Sequence, residues 1–179
     1  METVDPDDLV WIDESGSHVG MTRTHARAAR GERVLDDVPR NRGTVTTMIG
    51  ALTTSGMATM MTIEGGTDGD VFLAFVEHEL SQLLRPGKVV VLDNAGAHKT
   101  PAVLAAIEAH GATVRFLPPY SPEFNPIEMA WSKLKELLRA AKARTRKALD
   151  DAIAAGMKAI TAKDAAGWIR ESGYAIQVP

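Results

Sequence analysis

The sequence contains no cysteine. That absence excludes disulfides, zinc–thiolate clusters and a thiol nucleophile. No run of about 18 apolar residues is present, so no membrane-spanning helix and no membrane partner are expected. The first ten residues, METVDPDDLV, carry acid where a secretory signal would carry basic charge. A soluble, cytoplasmic protein is the expectation. A strong net charge is also missing: 20 Lys and Arg against 23 Asp and Glu leave −3 over 179 residues, which by itself argues weakly against a nucleic-acid partner. The length suits one domain with a core of its own.

The average conceals a segregation of charge. Residues 1–14 hold Glu2, Asp5, Asp7, Asp8, Asp13 and Glu14 with no base. Residues 133–147 hold Lys133, Lys135, Arg139, Lys142, Arg144, Arg146 and Lys147 against Glu136 alone. A second basic stretch, 23–42, holds Arg23, Arg27, Arg30, Arg33, Arg40 and Arg42 against Glu32, Asp36 and Asp37. This is the distribution of a protein with acidic ligands in one place and an anionic partner in another. The alternative is a solvated surface.

Periodicity gives the element order. Leu9-Val10-Trp11-Ile12-Asp13 reads as a strand, and the glycines at 16 and 20 suggest a turn into a second strand near 17–22. The arginine-rich 23–43 has no clean period and reads as an irregular excursion. Residues 44–53 and 57–64 read as strands joined by a turn at Thr54-Ser55-Gly56, giving a meander of three strands. Asp70–Leu84 has helical spacing, and Lys88–Asp93 is an unbroken apolar run suited to a strand covered on both faces. Thr100-Pro101 starts a helix through His110, and 112–117 is a further strand. After a proline-rich loop, Asn125-Pro126 opens a helix with Ile127, Trp131, Leu134, Leu138 and Ala141 on one stripe. Helices near 145–161 and 164–172 complete an α/β chain with a mixed sheet, antiparallel first and parallel after.

Three acids stand where hydrophobic patterning does not put them. Asp13 and Asp93 end apolar strands, where a carboxylate is costly unless it is hydrogen-bonded or binds a cation. The plain alternative is a turn residue at Asp13 and an Asx cap at Asp93. Glu128 falls at the third helical position after Asn125, where it could close a capping box or serve as a ligand. It also heads a face shared with Ser132, Lys135, Arg139 and Lys142, a basic stripe able to track a phosphate backbone. Three carboxylates without cysteine or a histidine cluster suit Mg²⁺ or Mn²⁺. Two such ions about 3.5–4 Å apart can serve an in-line displacement at phosphorus. Among the five histidines, His98 alone is placed to approach a substrate; a solvated or loop-satisfied side chain is the alternative. Trp131 belongs to the apolar stripe and reads as core rather than as a base-stacking platform.

VWIDES (10–15), VVLDNAGAHKT (90–100) and LPPYSPEFNPIEMAWSKLK (117–135) together resemble the catalytic domain of bacterial insertion-sequence transposases of the mariner superfamily. ARAARGERV (26–34) and DAAGWIRESGY (164–174) extend the resemblance over nearly the whole chain. It implies a single RNase H-like DDE domain over 1–179, with a five-stranded sheet whose first and fourth strands are neighbours. It maps the DDE triad to Asp13, Asp93 and Glu128; 34 residues separate the last two, whereas Glu123 would leave 29. The implied chemistry is cut-and-paste transposition with two Mg²⁺ or Mn²⁺ ions. Water cleaves a phosphodiester at the element's end, and the exposed 3′-hydroxyl attacks target DNA. The implied partners are transposon-end and target DNA and a second copy of the chain in the active complex. Contacts to DNA are expected from His98, Lys135, Arg139, Lys142, Arg27 and Arg30. Transposases of this family carry an N-terminal helix-turn-helix module, which nothing before Val10 supplies. A separately encoded DNA-binding subunit would provide it. A catalytically silent remnant that binds DNA or dimerises, and a hydrolytic RNase H-like nuclease, are the competing expectations.

Overall fold

A computed structural model describes residues 4–175. Five strands form one sheet: β1 (Leu9–Ser17), β2 (Thr46–Thr53), β3 (Gly56–Glu64), β4 (Val89–Leu92) and β5 (Thr113–Phe116). Their spatial order is β3-β2-β1-β4-β5. β1, β2 and β3 pair antiparallel, and β1–β4 and β4–β5 pair parallel. The helices are α1 (Gly69–His78), α2 (Pro101–Glu108), α3 (Ile127–Ala141), α4 (Arg146–Lys158) and α5 (Ala162–Glu171). This is the expected mixed five-stranded sheet flanked by helices, with the first and fourth strands side by side. No helix among the described residues is long and apolar enough to cross a membrane.

Side-chain alternation along the strands builds two cores. Val10, Ile12, Val90 and Leu92 point to the face covered by Phe72, Phe75 and Val76 of α1 and Val103 and Ile107 of α2. Trp11, Val89 and Val91 point to the face covered by Ile127, Trp131, Leu134 and Leu138 of α3, with α4 and α5 behind. A strand buried on both faces reads as a continuous apolar run, which is why Val89–Leu92 shows no alternation.

Three local expectations are corrected. No strand lies near 17–22: β1 continues through Gly16 to Ser17, because Gly16 and Ser17 pair with Thr47 and Thr46 of β2. The glycine that suggests a turn is instead a position where Val45 approaches, since a Cβ there would stand 3.3 Å from its Cγ1. Ala141 is exposed, and Ala130 takes its place in the buried stripe of α3. Asn125 does not cap α3: the helix has no side-chain cap hydrogen bond. The capping-box reading of Glu128 goes with it.

Candidate active site

Strand register brings the first two acids together. The parallel pairs Leu9–Val89, Val10–Val90 and Trp11–Val91 keep one offset. That offset sets Asp13 level with Asp93, two residues past the last paired position. Side chains alternate along a strand, so both acids continue the face of Trp11 and Val91, which is the α3 side. Glu128 lies in the first turn of α3, on that same side. Asp13, Asp93 and Glu128 line one cavity of about 400 Å³, together with Asn94, Asn125 and the loop 117–122. Glu123, the rival third acid, is exposed and does not line it.

Asp13 is the most constrained of the three. Gly50 of β2 is its cross-strand partner. A Cβ on Gly50 would stand 2.7 Å from Trp131 Cη2, so the glycine is what lets the indole lie against the sheet. From there Trp131 Nε1 donates to Asp13 Oδ2 at 3.0 Å. Trp131 is core, as its stripe indicates, and its polar edge also orients the acid. Burial pushes the Asp13 carboxyl up from 3.8 to about 7, and repulsion from Glu128, Glu14 and Asp93 adds to it against a backbone hydrogen bond at Glu14 that lowers it. The acid therefore sits in excess negative charge that a cation would neutralise.

Asp93 is held from the other side. Its Oδ1 accepts from the Ala95 N–H at 2.9 Å, the Asx geometry open as an alternative in the sequence. His98 Nδ1 approaches the same oxygen at 2.6 Å, close but too poorly aligned for a straight hydrogen bond. His98 Nε2 faces both oxygens of Glu14, at 3.2 and 3.1 Å. The imidazole is fully buried against the Phe72 ring, with centroids 4.2 Å apart. Burial lowers the His98 pKa, yet the Glu14 hydrogen bond and the charges of Glu14 and Asp93 outweigh it, and the net shift is upward. His98 is thus a buried strut between two carboxylates, not a surface contact to DNA. Glu14 is a site residue that the motifs do not single out. Its signal was strand parity: next to Asp13, it points to the opposite face, where the turn carrying His98 packs.

The basic run 133–147 is largely committed to the protein itself. Lys133 pairs with Asp164, Lys142 with Asp36, Arg146 with Asp150 and Glu64, and Lys147 with Asp151. Arg144 donates to the carbonyls of Val19 and Met21 and to Thr22 Oγ1, which ties the 18–45 segment to the end of α3. Lys142 ends α3 at φ 48 and leaves the helical face expected for it. Lys135 and Arg139 make no ion pair among the described residues, and Arg27 and Arg30 are exposed. None of these bases lines the cavity.

The cavity's donor set is hard oxygen, with no Lys or Arg on its wall, and suits a divalent cation in kind. Among the described residues no three Asp, Glu or His side chains stand close enough, as oriented, to hold one ion together. Asp93 is turned to Ala95 and His98, while Glu128 is exposed. Replacing Trp131 by Phe keeps most of the buried volume and removes the donor to Asp13. The expected result is a folded protein whose Mn²⁺ affinity at pH 7 falls about tenfold, the lower range for losing a group that orients a ligand. Titration of free Mn²⁺ by electron paramagnetic resonance checks it, and an unchanged affinity would contradict the role.

Comparisons with known proteins identify the fold and the family. The fold matches a chain of the Mos1 strand transfer complex with TM-score 0.67 and 18% identity, over 93% of this chain and 51% of that one. It matches the Mos1 transposase catalytic domain bound to raltegravir and Mg with TM-score 0.60 and 14% identity, over 96% and 87%. A chain of the simian T-cell lymphotropic virus intasome matches with TM-score 0.56 and 14% identity, over 84% and 48%. These likenesses establish the RNase H-like fold. In sequence, 48 residues are 42% identical to the uncharacterized protein y4pE/y4sA of Sinorhizobium fredii, covering 27% of this chain and 33% of that protein. The chain thus spans about half of the Mos1 strand transfer chain and matches a third of the Sinorhizobium protein. Residues 8–150, most of the chain and all three cavity acids among them, match the DDE superfamily endonuclease family, and to that family the chain belongs.

Proposed function

We propose that this chain is the catalytic domain of a DNA transposase, with Asp13, Asp93 and Glu128 as the carboxylates that hold its divalent cations. The observation that carries this reading is the level placement of Asp13 and Asp93 on neighbouring parallel strands, with Glu128 across the same cavity. Family membership and the Mos1 fold support it. Bound Mg²⁺ or Mn²⁺, two ions in the full reading, would supply Lewis acidity at a phosphodiester and lower the pKa of an attacking oxygen. The chain's own residues do the rest. Trp131 fixes Asp13, the Glu14–His98 strut fixes Asp93, and the start of α3 carries Glu128 at the cavity rim. In this scheme cleavage breaks the P–O3′ bond as water oxygen joins phosphorus, leaving a 3′-hydroxyl; that hydroxyl then attacks a phosphodiester in target DNA, joining its phosphorus as the target's own P–O3′ bond breaks and a target 3′-hydroxyl leaves. A covalent protein–DNA intermediate is not part of this scheme.

Lys135 and Arg139 lie seven and eleven positions after Glu128, one helical face further along α3, and their charges are the part of the basic run left for phosphate. Replacing either by Ala is expected to weaken DNA binding alike across sequences and to lower the slope of log affinity against log salt by about one. An unchanged slope returns them to the solvated surface. In the active complex two copies of this chain pair two DNA ends, which a separately encoded DNA-binding subunit recognises. The direct test incubates purified protein with Mn²⁺ or Mg²⁺ and DNA carrying element ends. Metal-dependent nicking with joined products supports a transposase; nicking without joining indicates a hydrolytic nuclease; neither, in the presence of an end-recognition subunit, overturns the reading.

A further inference from the structure

Asn125 is almost wholly enclosed, 4% exposed, and its side-chain Oδ1 is buried without a hydrogen-bond partner. The sequence offers it as the cap of α3, but the helix uses no side-chain cap. Its backbone is already satisfied: the N–H donates to Pro122 O at 2.9 Å, and the C=O accepts from Glu128 N–H at 3.1 Å. Only the carboxamide is uncommitted, and Asn125 lines the cavity with Asp13, Asp93 and Glu128. A buried polar group without a partner destabilises the folded chain, and such groups cluster where function requires them.

The chemistry of the wall says what this amide could meet. The three acids are acceptors when ionised and offer a phosphodiester nothing but repulsion until cations intervene. Two other polar groups beside them are spent. Asn94 Nδ2 donates to Leu117 O at 2.5 Å, and Ser121 Oγ donates to Pro119 O at 3.3 Å. Asn125 is thus an uncommitted neutral amide on a wall of carboxylates, held rigidly between Pro122 and the first turn of α3. We infer that Asn125 contacts the reacting phosphodiester through Nδ2, the amide atom that is not sealed as Oδ1 is and that has no hydrogen-bond partner among the described residues, donating to a non-bridging oxygen of the DNA held at the carboxylates. The inference rests on the transposase reading of that site. It adds a catalytic residue to it, distinct from the cation-holding acids.

The test compares wild type, Asn125→Ala and Asn125→Asp in three measurements: thermal unfolding, Mn²⁺ binding by electron paramagnetic resonance, and single-turnover cleavage of DNA at saturating concentration. Asn125→Ala is expected to unfold at or above the wild-type temperature and to bind Mn²⁺ as wild type does. Its cleavage rate is expected to fall about a hundredfold, the size of effect seen when one donor to a developing oxyanion is removed. Asn125→Asp, which keeps the shape and replaces the donor with an acceptor, is expected to fall at least as far. Cleavage by Asn125→Ala within threefold of wild type overturns the inference while leaving the transposase reading intact. So does a fall in unfolding temperature that accounts for the lost rate, because that is the behaviour of a helix cap. A wild-type chain that binds Mn²⁺ and, with an end-recognition subunit present, cleaves no DNA overturns both.

Discussion

Asp93→Asn is expected to lower metal-dependent DNA cleavage about a thousandfold without disturbing the fold. The substitution keeps the side-chain oxygen that accepts from the Ala95 N–H, so the turn after β4 survives. It removes the negative charge a cation needs. A metal contributes several kcal/mol to such a displacement, and about 4 kcal/mol corresponds to a thousandfold in rate. Glu128→Gln should behave alike, whereas Glu123→Gln should retain wild-type rate, because Glu123 is exposed and lies off the cavity wall. Single-turnover cleavage with circular dichroism as the control reads all three. Full activity in Asp93→Asn would contradict the assignment of the triad.

The second large effect concerns stability and pH. Asp13 titrates near 7 in the folded chain against 3.8 in the unfolded one, so the folded chain binds the extra proton between those values. The stabilisation this provides is complete below about pH 4 and is lost as pH rises through about 7. The three-unit difference corresponds to about 4 kcal/mol at most. Asp13→Asn removes this dependence. Metal-free Asp13→Asn should therefore unfold at a higher temperature than wild type at pH 8, by on the order of ten degrees for a domain of this size, with the gap closing towards pH 4. Adding Mn²⁺ should raise the wild type and leave the variant unmoved, because cation binding stabilises only the chain that holds the ion. Parallel pH profiles for the two proteins would show that Asp13 carries no such strain.

Which features could be read from the residues follows from what each signal depends on. The run Val89–Leu92 ending in Asp93 declares a central strand, because burial on both faces leaves no polar position until the strand emerges. The stripe Ile127, Trp131, Leu134 and Leu138 declares α3 in the same way. The convergence of Asp13 and Asp93 depends on the β1–β4 register, which is a tertiary fact; only the motif resemblance supplied it in advance. Gly16 misled because glycine commonly breaks strands, whereas here pairing with β2 carries β1 past it. The sequence leaves His98 open between a substrate contact and a side chain satisfied within its loop region; Glu14 and the Phe72 ring, both distant in sequence, decide for the second. The basic run 133–147 promised more contact to DNA than it holds, since its ion-pair partners lie up to 106 residues away in sequence, as Asp36 does from Lys142. Asn125 shows the converse: a perfect capping residue by pattern, left without that role by the geometry of the 122–126 turn.

The central claim is that divalent cations belong between Asp13, Asp93 and Glu128. Anomalous diffraction from a crystal of the wild-type chain soaked in Mn²⁺ tests it most directly. An anomalous peak is expected within coordination distance of oxygens from all three residues, with Asp93 or Glu128 rotated to meet it. Contradiction would be an ordered cavity with no peak, its carboxylates bound only to protein groups while Mn²⁺ sits elsewhere on the chain.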